Sequence, residues 1–421
     1  MRKIIKGSQL QPSSISLPSS KSLSHRALIT ASLANGTSVI HGLTDSADTL
    51  ATKRCMERLG AKFEKNGTDI IVHGISSFQY DGTDCDCGES GSTLRFLIPI
   101  FALLNQEITF VGHGKLMQRP QSVYEEIFAK QNLLFERIDN KLSLQGPLAS
   151  GKYVVKGNVS SQFMSGLLFA LPLLKKDSIL EIEAPFESSS YVGLTLDSLK
   201  HAGIQIKQEG LTYYIPGNQT YQPFDCTVEG DDSQMAFFAE AACIQNVPID
   251  VCNVRHDSIQ GDHVIVDIIK RMGGNVEEIE NGYRFSGNQL KGCQIDLADC
   301  PDLGPALFAL ASQCEGTTTF INAGRLRIKE SDRIACMEEE LRKLGVAISS
   351  TEDVVTIHGK KGISTDVMLY GHNDHRIVMS LSMLASLTEK QIIIDGAEAV
   401  NKSYPRFFED YVKIGGMVED E

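Results

Sequence analysis

Met56-Glu57-Arg58-Leu59-Gly60-Ala61-Lys62-Phe63, continued by Glu64-Lys65-Asn66-Gly67-Thr68-Asp69-Ile70-Ile71-Val72-His73-Gly74, is the stretch that decides the fold. Its first residues read as the last turn of a helix, stopped by a glycine that can take the left-handed C-cap conformation. Alternating residues follow with Asn-Gly at their middle, the mark of a β-hairpin. The pattern recurs at Ala202-Gly203-Ile204 to Gly217, Met272-Gly273-Gly274 to Gly287 and Leu344-Gly345-Val346 to Gly359. A weaker copy runs from Asn132 to Gly146, where asparagine tolerates the same conformation. A truncated copy, Ile414-Gly415-Gly416-Met417, comes last. The C-cap positions 60, 132, 203, 273, 345 and 415 are spaced by 72, 71, 70, 72 and 70 residues, and in the five full copies a closing glycine follows after fourteen. Chance does not produce such a period; the chain is a sixfold repeat.

Earlier in each unit lies a helix of small apolar residues, at 24–34, 92–104, 161–174, 233–244, 302–312 and 375–387. A strand follows each, at 38–40, 108–111, 179–182, 249–251, 318–321 and 391–394. These helices are apolar nearly all round, which predicts burial rather than a surface position. Six units that cannot bury their own faces are expected to pack three and three around two cores. A half-boundary is expected near 227–230, and the N-terminal segment, about residues 2–17, is expected to cross over as a strand completing the sixth unit.

Composition narrows the function. At 42% hydrophobic and 22% charged, the 421 residues can bury large cores, and no apolar run is long enough to span a membrane. The start, MRKIIKGSQL, lacks the apolar stretch of a secretory signal. A net charge of −13 with dispersed Lys and Arg argues against wrapping nucleic acid. Ten cysteines, several inside apolar segments, read as reduced buried thiols. Cys85-Asp86-Cys87 is the close pair, and without a second pair or nearby histidines it does not read as a metal site. The expectation is a cytoplasmic globular protein.

Chemistry gathers at the starts of the six buried helices. They carry Lys21, Ser22 and Arg26; Gly91, Ser92 and Arg95; Ser160, Ser161 and Gln162; Asp231, Asp232 and Ser233; Pro301 and Asp302; Asn373, Asp374, His375 and Arg376. Capping accounts for each Ser, Asp or Asn singly. It does not account for arginines in first turns, where they oppose the helix dipole unless an anion sits there. The segment 325–333 adds Arg325, Arg327, Lys329 and Arg333 with Glu330 and Asp332. Lys115, Arg119 and Lys402 precede further helices. Cations, hydroxyls and a few acids at helix mouths suit a pair of small phosphate- and carboxylate-bearing substrates.

At these residues the chain resembles the 3-phosphoshikimate 1-carboxyvinyltransferase family, the 5-enolpyruvylshikimate-3-phosphate (EPSP) synthases. The motifs are LPSSKSLSHRA, GESGSTLRFL, LMQRP, SSQFMSGLL, RLRIKESDRI, GHNDHRI and NKSYPRFF, spread over essentially the full length. The resemblance implies a two-domain inside-out α/β barrel of six βαβαββ repeats, three per domain. One domain would span 19–228 and the other 1–18 with 229–421, with hinge crossovers near 15–20 and 227–230. It implies transfer of the enolpyruvyl group of phosphoenolpyruvate to the 5-hydroxyl of shikimate 3-phosphate, by addition and elimination through a tetrahedral intermediate. The step belongs to the shikimate pathway of aromatic amino-acid biosynthesis and takes no metal or organic cofactor. Lys21, Ser22, Arg26, Ser160, Ser161, Gln162, Ser188, Asp302 and Lys329 would hold shikimate 3-phosphate. Lys21, Gly91, Arg119, Gln162, Arg333, Arg376 and Lys402 would hold phosphoenolpyruvate. Asp302 would take the hydroxyl proton, Lys21 and Glu330 would serve proton traffic at the enol, and Asp374 and His375 would orient Arg376. The enzyme is expected to act as a monomer.

Ser20, Glu89, Ser92, Phe96, Lys115 and Arg325 depart from the residues frequent in the family. The nearest rival is the sister carboxyvinyltransferase acting on UDP-N-acetylglucosamine, which uses a cysteine in the loop corresponding to 112–120; that loop has none here. A noncatalytic repeat scaffold such as a DNA clamp would instead spread cations along one extended face.

Overall fold

The computed structural model describes residues 1–421. Its strands form six four-stranded mixed sheets of one design. In the first repeat, strand Thr37–His41 pairs antiparallel with Asp69–His73, Ile40 opposite Ile70, and Asp69–His73 pairs in turn with Lys62–Asn66. A short parallel strand, Asp225–Thr227, closes the other side against Val39–His41. Alternation along Thr37–His41 sends Ser38 and Ile40 into the core and leaves Thr37 in solvent, as the two-residue period of a strand requires.

The glycine signal has a structural cause. Gly60 (φ 107°), Asn132 (53°), Gly203 (77°), Gly273 (91°), Gly345 (79°) and Gly415 (95°) all take positive φ. At each, the next residue's N–H reaches back across the helix end, as in Ala61 N to Met56 O (3.2 Å), Leu133 N to Phe128 O (2.9 Å) and Gly416 N to Tyr411 O (2.9 Å). That is the Schellman closure, which satisfies carbonyls otherwise left open at a helix end. The closing glycines answer a different need, close approach. A Cβ on Gly74 would lie 1.9 Å from Ala34 O, and one on Gly359 would lie 1.8 Å from Cys314 O, at the ends of the buried helices.

Two compact units result. One comprises Ser19–Val228 and holds repeats one to three. Its apolar helix Gly91–Phe101, buried at every residue but Ser92, packs against Ser161–Ala170. The other comprises Met1–Pro18 with Glu229–Glu421 and holds repeats four to six. Its helices Asp232–Gln245, Gly304–Ser312 and His375–Ala385 pack on one another at the centre of a single large core.

The N-terminal segment corrects one expectation. It is two strands, not one: Arg2–Lys6 completes the sixth repeat's sheet, whereas Ser13–Ser16 pairs in parallel with Ile249–Cys252 of the fourth. Likewise Asp225–Thr227 directly precedes the fourth repeat in sequence but serves the first. No helix is long and apolar enough to cross a membrane, and all ten cysteines are free.

Candidate active site

The expected residues fall into two sets, one in each unit. In Ser19–Val228, Lys21 opens the helix Lys21–Leu33, whose N-cap Ser20 accepts from Leu23 N at 3.4 Å. Lys21 Nζ lies 3.0 Å from Oδ2 of Asp48, in the first turn of helix Ala47–Arg58. Arg26, only 2% exposed, donates Nε to Thr195 Oγ1 (2.9 Å) and its terminal nitrogens to Ser22 O (2.6 Å) and Tyr191 O (2.7 Å). It also lies over the ring of Phe96, 5.1 Å from the centroid. Burial pulls its pKa down to about 9. The residue expected to grip a phosphate therefore also clamps helix Ser189–His201 to the first helix.

Hydrogen bonds draw the first three helix starts together. His25 Nδ1 meets Thr52 Oγ1 at 2.7 Å, Thr52 meets Thr93 at 2.7 Å, and Thr93 donates to the N-cap hydroxyl of Ser90 at 2.8 Å. Gln162 donates Nε2 to Ser92 Oγ (3.0 Å), while its Oε1 accepts from Arg95 (2.9 Å) and Ser160 (3.3 Å). Ser160 caps helix Ser161–Ala170, and the Ser161 side chain is buried behind it. Arg95 further donates to Pro120 O at 2.8 Å, next to Arg119. The helices begin at Lys21 and Gly91, so Arg26 and Arg95 lie past the first turn rather than in it, and protein acceptors meet both. Gly91 begins its helix facing the Arg119 guanidinium so closely that a Cβ there would lie 2.6 Å from Nη1. Ser188, buried and at φ 53°, leads into helix Ser189–His201 from the left-handed region, a conformation that surrounding structure must impose on a serine.

In the second unit the centre is Asp302, in the short helical turn Pro301–Leu303. Its Oδ1 receives Lys329 Nζ (3.1 Å) and Arg333 Nη1 (2.9 Å), and its Oδ2 receives Arg376 Nη2 (2.9 Å). Arg333, 1% exposed, also reaches Glu330 Oε2 (2.8 Å) and Asp374 Oδ2 (2.8 Å). Arg376 donates to Ser233 Oγ at 2.9 Å, and that hydroxyl donates to Asp231. Asp374 caps helix His375–Ala385 by accepting from Arg376 N at 3.0 Å, so it fixes the Arg333 side chain and the Arg376 backbone together. Lys402 Nζ donates to Asn373 O at 2.6 Å. Arg327, by contrast, is engaged locally by Asp332, Ser350 and the carbonyls of Thr351 and Glu352.

The electrostatics follow from burial and partners. Burial lowers the Lys329 pKa to about 8, against the opposing pull of Asp302. Burial alone would depress Arg333, but Asp374, Glu330 and Asp302 outweigh it and hold the guanidinium above its usual pKa. Such a cluster presents a fixed carboxylate among cations, an arrangement suited to moving a proton beside an anion. The sequence does not single out Asp48 or Thr195, and it names Ser233 at a helix start without a role. Each sits in a first turn or on a helix face where capping or packing gives a sufficient local reason for its identity, so only the fold reveals its partner.

Two of the departures from family habit also find partners. Phe96 stands edge-on between His25 and Phe169 and beneath Arg26. Glu89 lies against the backbone of Gly114, where a Cβ would come 2.5 Å from Oε2.

The model of the family described as EPSP synthase (3-phosphoshikimate 1-carboxyvinyltransferase) matches residues 5–411. A 3-phosphoshikimate 1-carboxyvinyltransferase of Clostridium kluyveri is 44% identical over 411 residues, covering 96% of each chain. One of Clostridioides difficile is 42% identical, also covering 96% of each. Among solved structures, EPSP synthase from Acinetobacter baumannii superposes with a TM-score of 0.82 at 25% identity over 100% of both chains. The enolpyruvyl transferase NikO from Streptomyces tendae, at 15% identity and TM-score 0.81 over 99% of this chain and 98% of its own, shares the fold. Repeats, motifs and relatives agree along the whole length, and the chain belongs to the EPSP synthase (3-phosphoshikimate 1-carboxyvinyltransferase) family.

Proposed function

We propose that this chain transfers the enolpyruvyl group of phosphoenolpyruvate to the 5-hydroxyl of shikimate 3-phosphate and releases phosphate. The observation that carries the reading is the Asp302 carboxylate fixed by Lys329, Arg333 and Arg376 at 2.9–3.1 Å. Lys21, Ser22, Arg26, Ser160, Ser161, Gln162, Ser188 and Lys329 bind shikimate 3-phosphate in this reading, by hydroxyls, an amide and charge-assisted donors. Gly91 leaves room for phosphoenolpyruvate beside Arg119, and Lys21, Gln162, Arg333, Arg376 and Lys402 complete its binding.

In the addition step the enol C3 gains a proton while the 5-oxygen bonds to C2, and Asp302 takes the hydroxyl proton. Lys21 and Glu330 are placed in the role of proton donor and acceptor at C3. In the elimination step C3 returns its proton, the C2–O bond to phosphate breaks, and the double bond re-forms. The cations stabilise the charge that grows on the departing phosphate. Removing the interaction of one such fixed donor typically costs on the order of a hundredfold or more in rate. The enzyme is read as a cytoplasmic monomer acting on two small anions, without nucleic acid.

The test is phosphate release by the purified chain beside a Lys21→Ala variant. Release that requires both substrates and collapses in the variant is expected. Silence with shikimate 3-phosphate but turnover with UDP-N-acetylglucosamine would assign the sister activity instead.

A further inference from the structure

Helix Arg333–Lys343 brings Cys336, Glu339, Glu340 and Lys343 to one face by the three-, four- and seven-residue spacing of a helix. Against this face stands His372, in a turn whose residues His372 and Asn373 both hold left-handed φ, 49° and 54°. Glu340 is fully buried. Its Oε1 is 2.7 Å from His372 Nε2, its Oε2 accepts from Tyr370 N at 3.1 Å, and Lys343 Nζ sits 2.8 and 2.9 Å from the two oxygens. Lys343 also reaches Glu339 at 3.1 Å. One ligand atom from each of Glu339, Glu340 and His372 lies within 4.8 Å of the others.

We infer that Glu339, Glu340 and His372 form a site for a divalent metal ion of the zinc type, in which Lys343 is the resident competitor. An imidazole with two carboxylates is a donor set that zinc accepts, leaving a fourth position for water. Tetrahedral bonds of about 2.1 Å place ligand atoms roughly 3.4 Å apart, so the 2.7 Å pair of Glu340 Oε1 and His372 Nε2 would open by under an ångström while Glu339 closes in to complete a coordination shell. The ammonium of Lys343 already supplies positive charge where the ion would sit. An ion entering there displaces it and cross-links the helix to the turn that leads into Asp374. None of these residues belongs to the proposed catalytic set, so the site stands apart from the reaction.

The test is calorimetric titration of the full-length protein with zinc chloride, repeated with cobalt to read coordination by visible absorption. One ion per chain is expected. His372→Ala and the exposed-site variant Glu339→Gln should each weaken binding by about 10-fold or more, the usual cost of losing a ligand or its support. Lys343→Met should tighten it by a similar factor. Unchanged melting curves without metal would show that the variants are folded. No binding by the wild type, or binding that none of the three substitutions alters, would overturn the assignment.

Discussion

Replacing Gly91 by alanine is the sharpest test of the proposed phosphoenolpyruvate site. The backbone of Gly91 lies in the first turn of Gly91–Phe101 and does not take positive φ, so alanine is conformationally allowed. Its Cβ would nevertheless meet Arg119 at 2.6 Å from Nη1, 3.0 Å from Cζ and 3.2 Å from Nη2. Ordinary contact needs roughly 3.5 Å, so the guanidinium must retreat by about an ångström. The clash is with the far end of a flexible side chain, and folding should scarcely register it. A charge-assisted hydrogen bond to a substrate anion is another matter, since about 1.5–3 kcal/mol depends on its geometry. The KM for phosphoenolpyruvate should therefore rise by about 10- to 150-fold, with the KM for shikimate 3-phosphate and the melting temperature nearly unchanged. Steady-state phosphate release, each substrate varied at saturation of the other, reads both values. In an Arg119→Ala background the added methyl should have little further effect, because its target is gone. An unchanged KM for phosphoenolpyruvate, or a full effect in the double variant, would refute the reasoning.

Asp302→Asn should lower kcat by about 10²–10⁴-fold while substrate binding falls less, since the isostere keeps the shape and loses the base; a rate within tenfold of wild type would reassign the hydroxyl proton. Lys329, with its pKa lowered to about 8, should lose its charge as pH rises past that point in the free enzyme. The KM for shikimate 3-phosphate should then climb above pH 8, and a Lys329→Arg variant, which stays charged, should flatten the profile. Arg26→Ala should destabilise the fold in denaturant melts by about 2–4 kcal/mol as well as weaken substrate binding, because a buried hydrogen bond to Thr195 and two part-buried ones to Ser22 and Tyr191 go with it; an unaltered denaturation midpoint would show that the clamp is dispensable.

The sixfold repeat is legible in the sequence because its signals are local and steric. A residue that must take positive φ to close a helix can be only a few things, and Gly60, Asn132 and Gly415 announce themselves. The closing glycines are likewise fixed by carbonyls a fraction of a side chain away. What escaped reading depends on partners distant in sequence. Ser13–Ser16 and Asp225–Thr227 are too short to declare which sheet they join: Ser13–Ser16 precedes the first repeat in sequence but joins the fourth, and Asp225–Thr227 precedes the fourth but joins the first. The candidate residues could be named from motifs, but not their neighbours. Nothing in an arginine near a helix start says that Thr195 and Tyr191 will meet Arg26, or that Asp302 will gather three cations, since such pairings form only when repeats pack.

The strand Arg2–Lys6 lies between Gln391–Asp395 and Met417–Asp420 in its sheet. It leaves the ribosome well before either of these partners. At about 5–20 residues per second, it waits roughly 20–80 s before they emerge. Residues 19–228 are contiguous, so that unit has all its strands while synthesis is still in progress. Throughout the wait Ile4 and Ile5 are available to any passing strand edge. Arg2, Lys3 and Lys6 flank them; in the finished sheet they pair with Asp395 and Glu421, Asp420 and Glu419. Until then the same three charges serve as gatekeepers against mispairing, so a chain stripped of them should aggregate during translation even where the completed fold would tolerate the change.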